Sequence, residues 1–343
     1  MIGSQKISII TPVKGRTDLF KQTYDSVVAQ NNGNWEWIIV DDGSIEGDFC
    51  EIAGICQSDR RITYIRRDNN GQGASYCRNF GVKMSSCDWV VFLDADDLLD
   101  NCFVANRLKD INNISDVDFI VYRSLIFHEK PGDSDLLWND FTKENDLDRF
   151  MKVDTPWQTS GVLWRKDFFN KIGCFDSRCK NWQDWEIHVR ALALRPNYVK
   201  INRDIDLFYR KSELSDISTK NTNKDFLSDR IGMIDRIIPI LKQNGQMTSQ
   251  RKYYLAKLLF STEVILQQAQ PGINIGEQVI EKYRLVNNME LSMWKWYIKS
   301  LHNRKLSKIK NLFKKFVDKV VLLLRHDHFM ETKTNFLNVK YQQ

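Results

Sequence analysis

The sequence predicts an α/β fold, a mostly parallel sheet flanked by helices with a helical extension at its C-terminal side. Three observations carry that prediction. Short apolar runs alternate with helix-period segments over the first 125 residues. Acidic or glycine-rich clusters follow several of those runs, where a parallel sheet gathers strand ends along one edge. The composition, 42% apolar and 12% aromatic over 343 residues, is that of a chain able to build a sizeable core.

The elements follow in order. Residues 7–11 (ISIIT) read as a strand, cut by Pro12, which has no N–H for a ladder. Residues 18–30 read as a helix with Phe20, Tyr24, Val27 and Val28 on one face. Residues 37–40 form a second strand that ends on Asp41 and Asp42, and 62–65 a third. A glycine-rich loop opens a helix over 73–84. Residues 89–93 and 119–122 supply the fourth and fifth strands, and crossovers between parallel neighbours are expected to be right-handed. The stretch from about 125 to 215 is mixed and carries Trp138, Trp157, Trp164, Trp182 and Trp185. Beyond about 220 the pattern is helical. Tyr253, Leu255, Leu258, Leu259, Thr262, Ile265 and Leu266 keep a helical period until Pro271 and Gly272 break it. A polar stretch at 218–224 reads as a linker, dividing residues 1–218 from a helical region over 219–343.

Composition excludes several classes. Seven cysteines, an odd number with no CxxC pair, argue against a disulfide framework and against a structural zinc site. No charged-then-apolar leader opens the chain, and the run at 320–324 is far too short to span a membrane. A cytoplasmic protein with free thiols is the expectation. The net charge of +6 is concentrated in residues 303–326, where eight basic side chains face Asp318 alone. Leu306, Ile309, Phe313, Phe316, Val317, Val320 and Leu324 fall there at helical spacing. A basic amphipathic helix suits an anionic membrane surface, and equally a helix packed on the domain with its basic face in water. No nucleic-acid recognition motif accompanies the charge, so nucleic acid is not an expected partner.

The chemistry concentrates at strand ends. The run 90–93 closes directly on Asp94, Ala95, Asp96 and Asp97. Carboxylates are costly to bury without a compensating cation. Oxygen ligands at the carboxyl edge of a sheet suit Mg²⁺ or Mn²⁺ carrying a phosphate-bearing ligand. Acids in the first turn of a helix account for the same residues, and alone the two readings stay open. DDGS (41–44) reads as a turn or as a ligand edge. In NNGQGASYCRNFG (69–81), Gly71 and Gly73 allow tight turns and close backbone approach, and Arg78 behind them could reach a phosphate. Three such clusters at successive strand ends form a more specific pattern than any one of them.

On these segments the chain resembles a family 2 glycosyltransferase of the GT-A fold. The matching stretches are ISIITPVKGR (7–16), WIIVDDGS (37–44), NNGQGASYCRNFG (69–81), VVFLDADD (90–97), SGVLWRKDFFNKIGCFD (160–176) and NWQDWEIHVRAL (181–192). Together they cover about residues 5–218. The resemblance implies a nucleotide-sugar donor, a glycan or lipid-linked acceptor, and inversion at the anomeric carbon. It places Thr11, Pro12, Asp41, Asp42 and Gly71 along the nucleoside and its phosphates, with Asp42 toward the base and Arg78 near base or phosphate. Asp94 and Asp96 fill the DxD positions, with Asp94 toward the ribose or the metal's water shell and Asp96 on Mn²⁺ or Mg²⁺. Asp97 reads as a helix cap. The family's Glu-Asp pair is Gln183-Asp184 here, so the resemblance makes Asp184 the general base and leaves the partner position altered. A helix-capping Asp is the plainer reading of Asp184, and a helix-surface ion pair that of Glu186 and Arg190. Gln183, Arg210 and Ser215 are candidates for diphosphate or acceptor contacts. UDP is the family's commonest nucleotide and is expected, with GDP and dTDP open. The competing classes are a non-catalytic sugar-nucleotide-binding or scaffold protein and a sugar nucleotidyltransferase. The latter fits poorly, because a single glycine, Gly15, follows the first strand.

Overall fold

The computed structural model describes residues 5–67, 73–211, 223–301 and 339–340. The N-terminal half alternates strand and helix: β1 (Ile7–Val13), α1 (Thr17–Val28), β2 (Trp35–Asp41), α2 (Glu46–Cys56), β3 (Ile62–Arg66), α3 (Ala74–Met84) and β4 (Trp89–Phe92). Next come β5 (Leu98–Leu99), α4 (Phe103–Asn113), β6 (Phe119–Tyr122), β7 (Leu125–Phe127), β8 (Leu136–Leu137) and α5 (Asp146–Met151). A 3₁₀ turn at Thr159–Gly161 leads into β9 (Val162–Arg165), α6 (Lys166–Lys171), α7 (Gln183–Ala193), β10 (Tyr198–Ile201) and β11 (Leu207–Arg210). Helices α8 (Lys224–Gln243), α9 (Ser249–Ala269), α10 (Ile275–Tyr283) and α11 (Asn288–Leu301) follow, and β12 (Val339–Lys340) closes the described chain.

The main sheet has the order β10-β6-β9-β4-β1-β2-β3. Every neighbouring pair is parallel except those made by β9, which runs antiparallel to β4 and β6. The chain leaves β1 toward β2 and β3, then returns through α3 to place β4 on the other side of β1. The strand order therefore reverses between β1 and β4, and a ligand crevice is expected beyond the carboxyl ends there. A smaller sheet, β12-β8-β7-β11-β5, lies beside that edge in sequence: β5 follows β4 directly.

The strand expected to stop at Pro12 runs on to Val13. β4 pairs with β1 only as far as Ile10, whose carbonyl accepts from Leu93. Alternate residues of β1 point their polar groups to opposite neighbours, so Pro12 faces the side that β4 has already left. Its missing N–H leaves no ladder bond unmade, while Val13 still accepts from Asp42 at 2.9 Å.

Two apolar clusters sandwich the main sheet. One lies between the sheet and α1, α2 and α4, around Phe20, Trp35, Trp37 and Phe103. The other joins the opposite face to α3, α5, α7 and the helices α8–α11, running from Phe92 and Trp164 through Trp185 to Ile234 and Leu259. Residues 218–222 of the linker expected at 218–224 lie outside the described residues, while Asn223 and Lys224 are the cap and the first residue of α8. The seven cysteines are all free. No helix among the described residues is long and apolar enough to cross a membrane.

Candidate active site

The carboxyl ends of β1, β2 and β4 open side by side. At β1, the Thr11 hydroxyl is fully buried and accepts from Trp37 Nε1 at 2.9 Å, and Pro12 follows it. Beyond β2, Asp41 accepts from the backbone N–H and the hydroxyl of Ser44, both at 2.8 Å, and from the Tyr64 hydroxyl. Asp42 accepts from Arg67 Nη1 at 2.9 Å and from the Gly73 N–H at 3.0 Å. It thereby ties the end of β2 to the start of α3. Gly73 sits at φ +83, a conformation that suits glycine. Gly71, Ser215 and the tail at 303–326 lie outside the described residues.

Beyond β4 the chain turns sharply through Asp94–Asp97. Asp94 accepts from Arg78 Nη2 at 2.5 Å, and Asp96 pairs with Arg16 Nη1 at 3.0 Å. No helix begins at Asp97, which corrects the cap expected there: the next one, α4, starts at Phe103. Instead Asp97 is buried. Its carboxylate takes the Arg210 N–H at 2.9 Å and the Ser160 hydroxyl at 3.2 Å, and its carbonyl takes the Thr23 hydroxyl at 2.9 Å. Arg210 grips the same turn, donating from Nε to the Asp96 carbonyl at 2.7 Å and from Nη2 to Gln22 at 2.8 Å. Crowding of like charges out of water has the expected effect. Burial and then Asp94 raise Asp96 above the ordinary carboxylate range. Burial and then Asp96 and Asp94 raise Asp97 well above it.

Asp184 reaches this edge from α7. Trp182 caps the helix in the left-handed region (φ 56, ψ 28), the helix starts at Gln183, and Asp184 is its second residue. Asp184 is therefore not the cap. Its Oδ1 accepts instead from the Thr159 hydroxyl on the 3₁₀ turn. Burial raises its pKa, and Arg78 and Thr159 work against that rise. Gln183 is held from both sides: Oε1 accepts from Arg78 Nη1 at 3.2 Å, and Nε2 donates to the Cys179 carbonyl at 3.2 Å. Arg78 thus spans the two halves of the site, bonded to Asp94 and Gln183 and attracted to Asp184. Burial alone would lower its pKa, but Asp94 and Asp184 hold the guanidinium above its usual value. The Glu186–Arg190 pair expected on the helix surface is buried, with side chains 6% and 9% exposed, and Arg190 also donates to the Ile172 and Cys174 carbonyls. It anchors α7 to the end of α6.

The donor set suits a hard divalent cation. Asp94 and Asp96 offer carboxylate oxygens at the edge where the strand order reverses, and Asp96 is raised by burial and by Asp94 even with Arg16 paired to it. Among the described residues, no three His, Cys, Asp or Glu side chains converge on one point. An ion held here would draw its remaining ligands from a diphosphate and water, as Mg²⁺ commonly does.

Several contributors carry no sequence signal of their own. Thr159 lies in an unremarkable QTSG turn, and Ser160 only opens the stretch 160–176, with nothing there to suggest Asp97. Arg67 follows β3 with nothing around it to suggest Asp42. Arg16 stands inside the VKGR stretch, but its spacing from Asp96 gives no hint of contact.

The sequence profile described as Glycosyl transferase family 2 matches residues 8–170, which hold β1 to β9 and the whole Asp94–Asp97 turn. The chain carries a family 2 glycosyltransferase domain. Over 104 residues, 30% of the chain, it is 39% identical to an uncharacterized glycosyltransferase of Rickettsia bellii, and that stretch covers 14% of the relative. The chain spans less than a fifth of this and two further rickettsial relatives (14%, 17% and 18%). An uncharacterized glycosyltransferase of Haemophilus influenzae is 27% identical over 260 residues, 73% of the chain and 83% of the relative. Among solved structures, S. aureus TarS 1-349 in complex with UDP-GlcNAc aligns with a TM-score of 0.56 at 15% identity, covering 82% of this chain and 92% of that one. The glycosyltransferase domain therefore has the GT-A fold.

Proposed function

We propose that this protein transfers a sugar from a nucleotide-sugar, of the UDP-sugar class, to a hydroxyl of a glycan or lipid-linked glycan, with inversion at the anomeric carbon. The observation that carries the reading is the single buried Arg78, which links the donor-side carboxylate Asp94 to Gln183 and Asp184. A donor lying along the β1/β4 edge would place its reacting carbon between these two groups. The UDP-GlcNAc carried by the TarS structure supports the nucleotide class.

The steps belong to the chain's own residues. A sugar hydroxyl is a weak nucleophile until its proton is leaving. Asp184 accepts that proton at a carboxylate oxygen, and the hydroxyl oxygen attacks from the face opposite the diphosphate. Thr159 holds the carboxylate in orientation through Oδ1. Arg78 stabilises Asp184 as the anion that the reaction requires. Asp96, with Asp94 beside it, would hold Mn²⁺ or Mg²⁺. That cation supplies Lewis-acid compensation for the charge gathered on the leaving nucleoside diphosphate. The basic stretch at 303–326 supports a peripheral site on the inner face of the cytoplasmic membrane, where a lipid-linked acceptor would be met.

A screen of UDP-, GDP- and dTDP-sugars with Mn²⁺, Mg²⁺ or EDTA tests the reading. The expected result is metal-dependent thermal stabilisation by one nucleotide class, since a ligand that binds only the folded state raises its stability. Release of the matching nucleoside diphosphate should accompany it. Binding without release would mark a non-catalytic sugar-nucleotide-binding protein. No stabilisation by any donor would end the transferase reading.

A further inference from the structure

Arg16 is fixed at its backbone and half-exposed at its head. It caps α1 in the left-handed region (φ 57, ψ 43), a conformation a non-glycine residue adopts only at a cost. Both sides of that backbone are tied down. The Gly15 N–H donates to Ser44 Oγ at 2.8 Å, and the Thr17 hydroxyl donates to Asp48 at 2.9 Å. The Leu19 and Phe20 N–H groups return to the Arg16 carbonyl at 3.1 and 3.0 Å. The guanidinium, by contrast, is 47% exposed and pairs with Asp96, which is only 17% exposed. A strained, well-anchored backbone thus delivers a half-exposed cation to the carboxylate best placed for a divalent ion.

A guanidinium on Asp96 Oδ2 takes up an oxygen that a metal ion would use, and two cations on one carboxylate repel each other. A nucleoside diphosphate brings new anionic oxygens to the same edge and gives Arg16 somewhere else to go. We propose that Arg16 is an exchangeable counter-cation. In the donor-free protein it weakens binding of the divalent ion at Asp96, and the arriving diphosphate draws it away, so that metal and nucleotide bind cooperatively. Such coupling is reciprocal: whatever factor the diphosphate adds to metal affinity, the metal adds to diphosphate affinity. The inference rests on the metal-dependent reading above, but binding of Mn²⁺ alone requires no turnover.

The test is Mn²⁺ binding, followed by electron paramagnetic resonance, to the wild type, Arg16→Gln and Arg16→Lys, with and without UDP. Without UDP, Arg16→Gln should bind Mn²⁺ about two- to fivefold more tightly, the range that a partly exposed ion pair can supply. Arg16→Lys, which keeps the charge, should stay near the wild type. The tightening of Mn²⁺ by UDP should be smaller in Arg16→Gln than in the wild type. Unchanged or weaker Mn²⁺ binding by Arg16→Gln overturns the proposal, as does an absence of Mn²⁺ binding by all three proteins. A melting curve for each variant guards against misfolding, and Arg16→Lys supplies the charge-retaining control. Loss of the transferase reading alone has a different signature: no sugar transfer, with the Mn²⁺ differences intact.

Discussion

Asp184 is the residue on which the chemistry turns, and its surroundings fix how it should respond to mutation and to pH. Asp184→Asn keeps an oxygen to accept from Thr159 but has no basicity. Turnover should fall by about 10²-fold or more, while the donor's dissociation constant moves little. Wild-type turnover by a folded Asp184→Asn protein would remove Asp184 from the base role. Because burial raises the pKa of Asp184, activity should be lost on acidification at a higher pH than an ordinary aspartate would give. A pH profile of kcat/KM with an acidic limb at or below the ordinary aspartate range would contradict that. The sign for stability runs the other way. A carboxyl whose folded pKa is raised binds its proton more tightly in the folded state, so stability falls as pH rises from the ordinary aspartate pKa to the raised one. Asp184→Asn should therefore melt no lower than the wild type at neutral pH, and its advantage should vanish in acid. Asp94 and Asp96 could be singled out from the sequence because they close an apolar run, and Asp184 because it fills the Asp position of the pair that the family resemblance supplies. Thr159 and Arg16 could not, because each meets its carboxylate across a long stretch of chain that only the folded sheet brings together.

At the scale of elements, β1, β2, β3, β4 and β6 of the main sheet were legible because their apolar runs are short, whereas β9 and β10 lie in the mixed stretch after residue 125 and were not read. The strand over 119–122 is found where expected, whereas β1 outruns Pro12 because the deciding fact is where its neighbour β4 ends. Periodicity carries no information about a neighbour's length. The small second sheet was not read, since β5 and β8 are two-residue strands whose pairing depends on partners far along the chain. One contact decides how α3 carries Arg78 to the site. Gly81 lets that helix lie against β1, where an added Cβ would overlap Ile10 Cγ2. Ile10 is fully buried in a central strand and β-branched, so it has little freedom to yield. Gly81→Ala should cost about 1–3 kcal/mol in overpacking and return about 0.5–1 kcal/mol of helix propensity. The expected net loss is up to about 2.5 kcal/mol, measured by urea denaturation, with weaker donor binding because Arg78 is displaced. An unchanged or raised midpoint would mean that α3 and β1 separate freely at this crossing.

Across the whole molecule, the helices after residue 222 share a core with the sheet that carries the site. Leu227, Ile231 and Ile234 of α8, with Leu255 and Leu259 of α9, are at most 2% exposed and belong to the same cluster as Phe150, Trp185 and Ile187. Polar ties reinforce the junction: Arg251 of α9 reaches Asp148 of α5 at 2.6 Å, and Arg236 of α8 reaches Asp176 at 3.0 Å. Full burial of one Leu or Ile side chain contributes about 1.5–3 kcal/mol. Five such side chains match the whole stability of an ordinary domain, about 5–15 kcal/mol, even after discounting for a compact unfolded state. The faces of α5 and α7 that these helices cover would be left as an apolar surface around Trp185, the side chain next to Asp184 in sequence. A fragment ending at residue 218 should therefore fail to fold as an independent unit, although the motif-bearing segments all lie within it. Its expected signature is a broad or absent thermal transition with dye binding to exposed apolar surface, against one cooperative transition for the full chain. A sharp melt of the fragment within a few degrees of the full chain would show that the helical layer is an appendage and would free it for a separate role in acceptor or membrane contact.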